Sequence, residues 1–350
     1  MITESSGNLL AADVDALVNT VNTVGVMGKG IALQFKRAYP DMFADYQRAA
    51  KAGTVQRGKM HVWPTGSMSG PRYVINFPTK GHWRAPSRLP DIESGLRDLV
   101  DVVRSLEIRS IAIPPLGAGN GGLEWSLVEP LIRRAFAELP DVDVRVYAPH
   151  GAPPAKAMPD ATRTPRMTPG RAALVQILAR YMRASVSASP IEAQKLMYFL
   201  QEAGQPLRLR FEKGLYGPYA DNLRHVLREV EGHYLTGYGD GSARVLDSEP
   251  IELLPGAEAE SSALVDADPE MRERIERVLE LAEGFESMYS MELLASVHWV
   301  AKTNADARRD PNEAARLVQQ WTPRKRGLFT DRHVAIAWET LQERGWLTPV

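Results

Sequence analysis

Three loops of this 350-residue chain hold residue types that can grip a phosphate ester and act on a bond beside it. The first runs from Asn19-Thr20-Val21-Asn22 into Gly25-Val26-Met27-Gly28-Lys29-Gly30. The second is Thr79-Lys80-Gly81-His82-Trp83, and the third is Pro114-Pro115-Leu116-Gly117-Ala118-Gly119-Asn120-Gly121-Gly122. Glycines let backbone approach a ligand closely and aim successive N–H groups at one point, and a helix that follows adds its positive N-terminus. The first and third loops therefore suit a diphosphate. Any one glycine-rich turn is as often structural as functional; three in register carry more weight. The first loop lacks the glycine spacing, and the serine or threonine after lysine, of a magnesium-dependent nucleotide triphosphatase. The third does not open a βαβ unit near the N-terminus with an acidic residue about 20 positions on, as a dinucleotide fingerprint does. Lys80 ends a strand and is followed by Gly81, so its amine can point into a crevice, although most lysines are solvated surface residues. Trp83 is either core or a stacking surface for a base. His82 is equally open and is given no catalytic role.

The elements that must position these loops are legible from periodicity. Ala16 to Thr20, Met60 to Trp63, Tyr73 to Phe77, Ser110 to Ile113 and Val142 to Tyr147 read as strands. Helical patterns near Lys29 to Ala38, Met42 to Ala52, Asp91 to Leu106 and Glu124 to Glu138 separate them. The strands are near-continuous apolar runs, so a sheet covered by helices on both faces is expected, an α/β sandwich with ligands beyond the carboxyl ends of its strands. From Pro149 to Gly170 there are six prolines and little periodic apolar pattern, which predicts an extended linker over residues 151–170 between a domain of residues 1–150 and one of residues 171–350. In the latter, Leu174, Ile177, Leu178, Tyr181 and Met182 keep helical spacing. Ser189-Pro190 with Glu192, and Asp310-Pro311 with Glu313, read as helix starts, and Gly345 closes a last helix. The C-terminal domain is expected to be mainly helical.

Composition narrows the chemistry. With no cysteine there is no disulfide framework, no thiolate metal site and no cysteine nucleophile, and no metal is called for. No apolar run approaches the roughly 20 residues of a membrane span and no signal peptide is evident, so a soluble, cytoplasmic protein is expected. The formal net charge of -1 argues against indiscriminate binding to duplex DNA. Residues 1–150 hold 17 basic and 15 acidic side chains, whereas Leu246 to Glu283 holds 12 acidic and 3 basic.

The combination of Asn19-Thr20-Val21-Asn22, Gly25-Val26-Met27-Gly28-Lys29-Gly30-Ile31-Ala32, Asn76-Phe77-Pro78-Thr79-Lys80 and Gly117-Ala118-Gly119 resembles the macrodomain of the DarG family, antitoxins of toxin–antitoxin systems. Lys195-Leu196-Met197-Tyr198-Phe199 and Gly217-Pro218-Tyr219 are similar to DarG C-terminal regions and more loosely to Panacea-type antitoxin domains. The resemblance implies a three-layer α/β/α macrodomain with a mixed sheet. It implies hydrolysis, without a cofactor, of the bond between ADP-ribose and thymidine in single-stranded DNA, and a protein partner, the toxin DarT. It maps the family lysine onto Lys80. ADP-ribose contacts map onto Asn8 and Leu9 near adenine, Thr20, Val21 and Asn22 near the distal ribose, and Ile31, Ala32, Leu33 and Gln34 around the diphosphate. Gly117, Ala118, Gly119, Asn120 and Gly121 join the diphosphate group, with Thr79 beside the lysine. Asn8 departs from the aspartate most macrodomains place at adenine, and its uncharged carbonyl makes a weaker acceptor. Lys80 is assigned as acid or electrostatic aid with Asn22 orienting the ribose, ahead of a covalent role, because Asn120 stands where covalent relatives carry an aspartate. Two alternatives remain: a module that only binds ADP-ribose, and a hydrolase of ADP-ribosylated protein or O-acetyl-ADP-ribose.

Overall fold

The computed structural model describes residues 1–67, 70–149, 153–185, 187–241, 243 and 248–347. The chain divides into two compact units, Met1–Arg163 with Asp240–Ala243, and Thr164–Gly239 with Arg244–Val350. Residues 150–152 of the expected linker, and Leu246 and Asp247 of the acidic window, lie outside the described residues.

In the first unit, six strands form one sheet: β1 (Ile2–Ser5), β2 (Ala16–Asn22), β3 (His61–Pro64), β4 (Tyr73–Lys80), β5 (Ser110–Ile113) and β6 (Asp143–Tyr147). Their order is β1-β6-β5-β2-β4-β3, parallel except that β3 runs antiparallel to β4, which makes the sheet mixed. Strand β1 was not anticipated; four residues at a sheet edge, only partly buried, carry too little period to read. Helices α1 (Gly30–Ala38) and α2 (Pro40–Lys51) cover one face, and α3 (Leu89–Ser105) and α4 (Trp125–Phe136) the other.

Alternation along the central strands divides the core. Ala16 and Val18 of β2, Ile75 and Phe77 of β4, and Ile111 and Ile113 of β5 pack with Leu96 and Leu99 of α3 and Ile132 and Phe136 of α4. Leu17, Val21, Val74 and Ala112 turn the other way, onto Phe35 of α1 and Met42 and Tyr46 of α2. Burying each large side chain of this kind is worth about 1.5–3 kcal/mol, so the layers hold the strand ends rigidly. A buried Asn19–Asn76 hydrogen bond of 2.8 Å joins β2 to β4 at facing positions and pins their register.

The first unit extends past β6. Ala161 N–H donates to the Arg37 carbonyl at 2.9 Å, Arg37 faces Asp160 at 3.8 Å, and Ala155–Ala157 forms a turn of 3-10 helix. Part of the proline-rich stretch is thus tied down by hydrogen bonds that no sequence periodicity announces.

The second unit is mainly helical: α5 (Pro169–Ala184), α6 (Pro190–Glu202), α7 (Asp221–Val230), α8 (Ala257–Asp266), α9 (Pro269–Ala282), α10 (Met288–Thr303), α11 (Ala305–Arg309), α12 (Pro311–Trp321), α13 (Pro323–Leu328) and α14 (Asp331–Glu343). Two small hairpins, β7 (Phe211–Gly214) with β8 (Gly217–Ala220) and β9 (Leu235–Thr236) with β10 (Glu252–Leu253), were not foreseen because strands of two to four residues show no period. The helix starts read from sequence are present: Ser189 and Glu192 form a reciprocal capping box, and Asp310 accepts from Asn312 N–H. The Lys195 and Gly217-Pro218-Tyr219 motifs meet in the interior, where fully buried Lys195 donates to the Pro218 carbonyl at 2.6 Å. Burial lowers the Lys195 amine to about 7. Beside it, Glu292 receives Lys325 at 2.5 Å and Arg324 at 2.7 Å. Among the described residues no helix is long and apolar enough to cross a membrane.

Candidate active site

Strands β5, β2 and β4 are neighbours and parallel, so the three loops leave the same edge of the sheet. Pro78 lies within β4 and brings no N–H to the ladder; the β2–β4 register shifts there, between Val21 and Asn22, so that Asn22 faces Lys80. Two residues assigned to catalysis from sequence are thereby set side by side at the carboxyl ends of adjacent strands. The strand runs past Phe77, where the apolar run stops, and ends at Lys80 as read from sequence.

The loops are stitched together around Asn120. The Lys80 amine donates to the Asn120 carbonyl at 3.0 Å. A Cβ at Gly30, which has φ of +56°, would stand 3.0 Å from Asn120 Nδ2, so the first and third loops touch there and only glycine fits without strain. Thr23 N–H reaches the Lys80 carbonyl at 3.2 Å and Thr23 Oγ1 donates to the Gly81 carbonyl at 2.7 Å, joining the first and second loops. Ser87 N–H donates to the Gly121 carbonyl at 2.9 Å, joining the second and third. At Gly121 the packing is closed, since a Cβ would meet Ser87 Oγ at 2.3 Å. Gly119 is the opposite: a Cβ there meets nothing within 4 Å, so this residue faces open space.

Helix α1 begins at Gly30 with no side-chain cap on its first turn. Leu33 N–H reaches the Lys29 carbonyl at 3.4 Å, whereas the N–H groups before it have no intrahelical acceptor. Ile31 and Ala32 are therefore the members of the Ile31 to Gln34 set, assigned from sequence to the diphosphate, that leave N–H groups open. Leu33 and Gln34 are buried, while Ile31 and Ala32 are partly exposed. In the third loop Gly117 and Ala118 are buried or half-buried, and Gly119 and Asn120 are exposed.

Lys80 is half-buried, and loss of water around its amine lowers its pKa from the usual lysine value. Asn22 is buried and its side chain serves the first loop: Nδ2 donates to the Val26 carbonyl at 2.6 Å while Oδ1 accepts from Val24 N–H at 3.1 Å and Val26 N–H at 3.3 Å. Tyr46 holds the backbone of the same residue, donating to the Asn22 carbonyl at 2.5 Å, and burial raises the phenol to about 12, so it stays a donor. Thr79 is buried with Oγ1 3.3 Å from the Val21 carbonyl, and Val21 is buried beside partly exposed Thr20.

At the other end, Asn8 caps the 3-10 turn Leu9–Ala11, its Oδ1 accepting from Leu10 N–H at 3.0 Å and its Nδ2 donating to the Ala157 carbonyl at 2.6 Å. An amide oxygen has two lone pairs, so one acceptor position remains for an exocyclic amine. A recess of about 310 Å³ lies here, lined by Asn8, Leu10 and Ala11 and by Lys156, Ala157, Met158 and Pro159. Those last four belong to the stretch read as linker, and composition alone carries no sign that they form a wall.

Trp83 is not core. It is 45% exposed, with the His82 ring stacked on it at 5.3 Å and the Arg84 guanidinium over its ring at 4.4 Å. Nearby, Arg57 and Arg88 share Asp91, at 3.0 and 3.1 Å, and the Arg88 hydrogen bond leads in holding that carboxyl below its usual range.

A Macro domain family model matches residues 18–132. The DNA ADP-ribosyl glycohydrolase of Mycobacterium tuberculosis is 48% identical over 96% of this chain and 98% of its own length. That of Thermus aquaticus is 46% identical over 98% of this chain and 93% of its own. A Thermosipho africanus protein described as a DNA ADP-ribosyl transferase–DNA ADP-ribosyl glycohydrolase fusion is 35% identical over 46% of this chain and 44% of its own.

Proposed function

The chain belongs to the DarG family of DNA ADP-ribosyl glycohydrolases, and from that premise we propose that its first unit hydrolyses the bond between ADP-ribose and thymidine in single-stranded DNA while its second unit binds the toxin DarT. The observation that carries the catalytic half is the meeting of three loops at Asn120 with the Lys80 amine bonded to that residue's carbonyl. The diphosphate lies against the first turn of α1 and the loop from Gly117 to Gly121. Adenine enters the recess by Asn8 and Leu9, and the distal ribose lies by Thr20, Val21 and Asn22. That arrangement brings the anomeric carbon toward the ends of β2 and β4.

Cleavage breaks the bond from the anomeric carbon to a thymine nitrogen; water supplies oxygen to the carbon, and the departing base takes a proton. Lys80, as ammonium, stabilises and protonates the leaving base and is re-protonated from solvent. Asn22 acts through the loop it holds, fixing Val24 to Val26 beside the ribose, rather than by a free side chain. No carboxylate stands at position 120, which favours this route over one through a lysine adduct.

The pH profile separates the two roles. Desolvation puts the Lys80 pKa below its ordinary 10.5, so an ammonium role predicts a rate that is level at neutral pH and falls as pH rises through that lowered value. A single-turnover rate that instead climbs with pH over the same interval assigns Lys80 as a neutral nucleophile. A hydrolase of ADP-ribosylated protein or O-acetyl-ADP-ribose has no need of a lysine at the bond, and parallel assays on those substrates set the preference.

The toxin-binding half is supported by the second unit's own core and by a relative that joins transferase and glycohydrolase in one chain. A DNA-modifying toxin offers a basic groove, and the acidic α8–α9 region complements it. Within the unit, however, Glu270 pairs with Arg274 and Glu276 with Arg180, which neutralises half of the four carboxylates Glu270, Glu273, Glu276 and Glu280. Residues 164–350 alone are expected to compete with oligonucleotide for purified toxin. Changing all four glutamates to glutamine weakens that competition if charge carries it. Failure of the unmodified unit to bind removes the partner assignment.

A further inference from the structure

Beyond Gly81, the loop that follows Lys80 has no role in the reaction proposed above. His82, Trp83 and Arg84 are all exposed and lie against one another: the His82 and Trp83 rings stack at 5.3 Å and 30°, and the Arg84 guanidinium is 4.4 Å from the Trp83 ring centre. The loop holds this stack with two internal bonds, Arg84 N–H to His82 Nδ1 at 3.2 Å and Ala85 N–H to the His82 carbonyl at 2.9 Å. Even with His82 and Arg84 against it, Trp83 keeps 45% of its surface open to water, and a cluster already ordered costs little further ordering when another ring is added. Arg84 forms no ion pair among the described residues, so its charge, held over the Trp83 ring, is available to an anion. Val24 and Val26 are also exposed, at 47% and 40%, on the loop that Thr23 ties to Gly81.

We infer that the His82-Trp83-Arg84 stack is a platform for an unpaired nucleobase flanking the modified thymidine, with Arg84 on a backbone phosphate of the same strand. This rests on the function proposed above and adds to it: the strand is read outside the crevice that takes ADP-ribose. The modified thymine must reach the half-buried Lys80 amine, whereas the stack stands on the exposed part of the loop, so the base it takes is a neighbour. Base–aromatic stacking tolerates any sequence and needs an unstacked base, so the platform selects single strands over duplex without selecting sequence. A guanidinium–phosphate contact adds salt dependence.

Two readouts test it with the full chain. For hydrolysis, Trp83→Ala raises KM for a modified oligonucleotide by about tenfold and leaves kcat, and both constants for a modified mononucleotide, unchanged; Trp83→Phe restores most of the loss. Binding of an unmodified, fluorescently labelled single-stranded oligonucleotide, followed by anisotropy, weakens in parallel in Trp83→Ala and Arg84→Ala, and the same strand in duplex form binds poorly. Equal loss on oligonucleotide and mononucleotide would assign Trp83 to the crevice and overturn the platform, as would unchanged oligonucleotide affinity in Trp83→Ala. If the wild-type protein releases no ADP-ribose but loses oligonucleotide affinity on changing Trp83, the hydrolase reading fails and the platform stands.

Discussion

Lys80→Ala lowers hydrolysis of ADP-ribosyl-thymidine by about 10²–10⁴-fold, the usual contribution of a positioned proton donor, and leaves ADP-ribose affinity little changed. The two effects separate because the side chain acts on the bond while backbone N–H groups hold the diphosphate. Removing the amine frees the Asn120 carbonyl from its 3.0 Å partner, but Asn120 is exposed and water replaces that bond, so the loop loses about 1 kcal/mol or less. Lys80→Arg keeps the charge and cannot surrender a proton. Partial activity in that variant assigns an electrostatic role, and none assigns proton transfer. The check is steady-state release of ADP-ribose beside calorimetric titration of the free ligand. Near-wild-type turnover by a folded Lys80→Ala protein removes Lys80 from the mechanism and favours a water activated by the loops.

Gly119→Glu has the complementary signature, loss of ADP-ribose affinity by two or more orders of magnitude in a protein that folds normally. The residue faces open space, so a side chain enters without disturbing the loop, unlike Gly121, where Ser87 and the Gly117 carbonyl fill the position. The added carboxylate then stands where the diphosphate must lie, and like charges so placed cost several kcal/mol. Gly119→Ser, adding bulk without charge, is expected to lose less. Calorimetry decides the matter, and unchanged affinity in Gly119→Glu means that the diphosphate lies elsewhere.

The layered fold was legible because its signals are physical and local. Strands β2, β4 and β5 are apolar on both faces since helices cover both, and so they stand out as unbroken runs; the amphipathic helices between them keep a clear 3.6-residue period. The glycine loops were legible too, because close backbone approach admits few residue types. Three features escaped. The edge strand β1 is too short for a pattern. Residues 156–159 form one wall of a recess through backbone contacts such as Asn8 to the Ala157 carbonyl, which proline-rich composition does not encode. The convergence on Asn120 depends on the β2–β4 register shift at Pro78, a property of pairing between distant segments rather than of either one. For Asn22, the resemblance assigns a role at the ribose, but neither its place beside Lys80 nor the use of its amide, which braces its own loop, was legible.

The central claim is tested most directly by incubating the purified chain at sub-stoichiometric concentration with a single-stranded oligonucleotide bearing ADP-ribose on one thymidine, and following both products by mass spectrometry. The account predicts many turnovers per protein molecule, with free ADP-ribose and an oligonucleotide whose mass returns to that of the unmodified strand. Tight binding of the modified strand with no return of the unmodified mass would contradict it and leave a module that holds ADP-ribose without cleaving the bond.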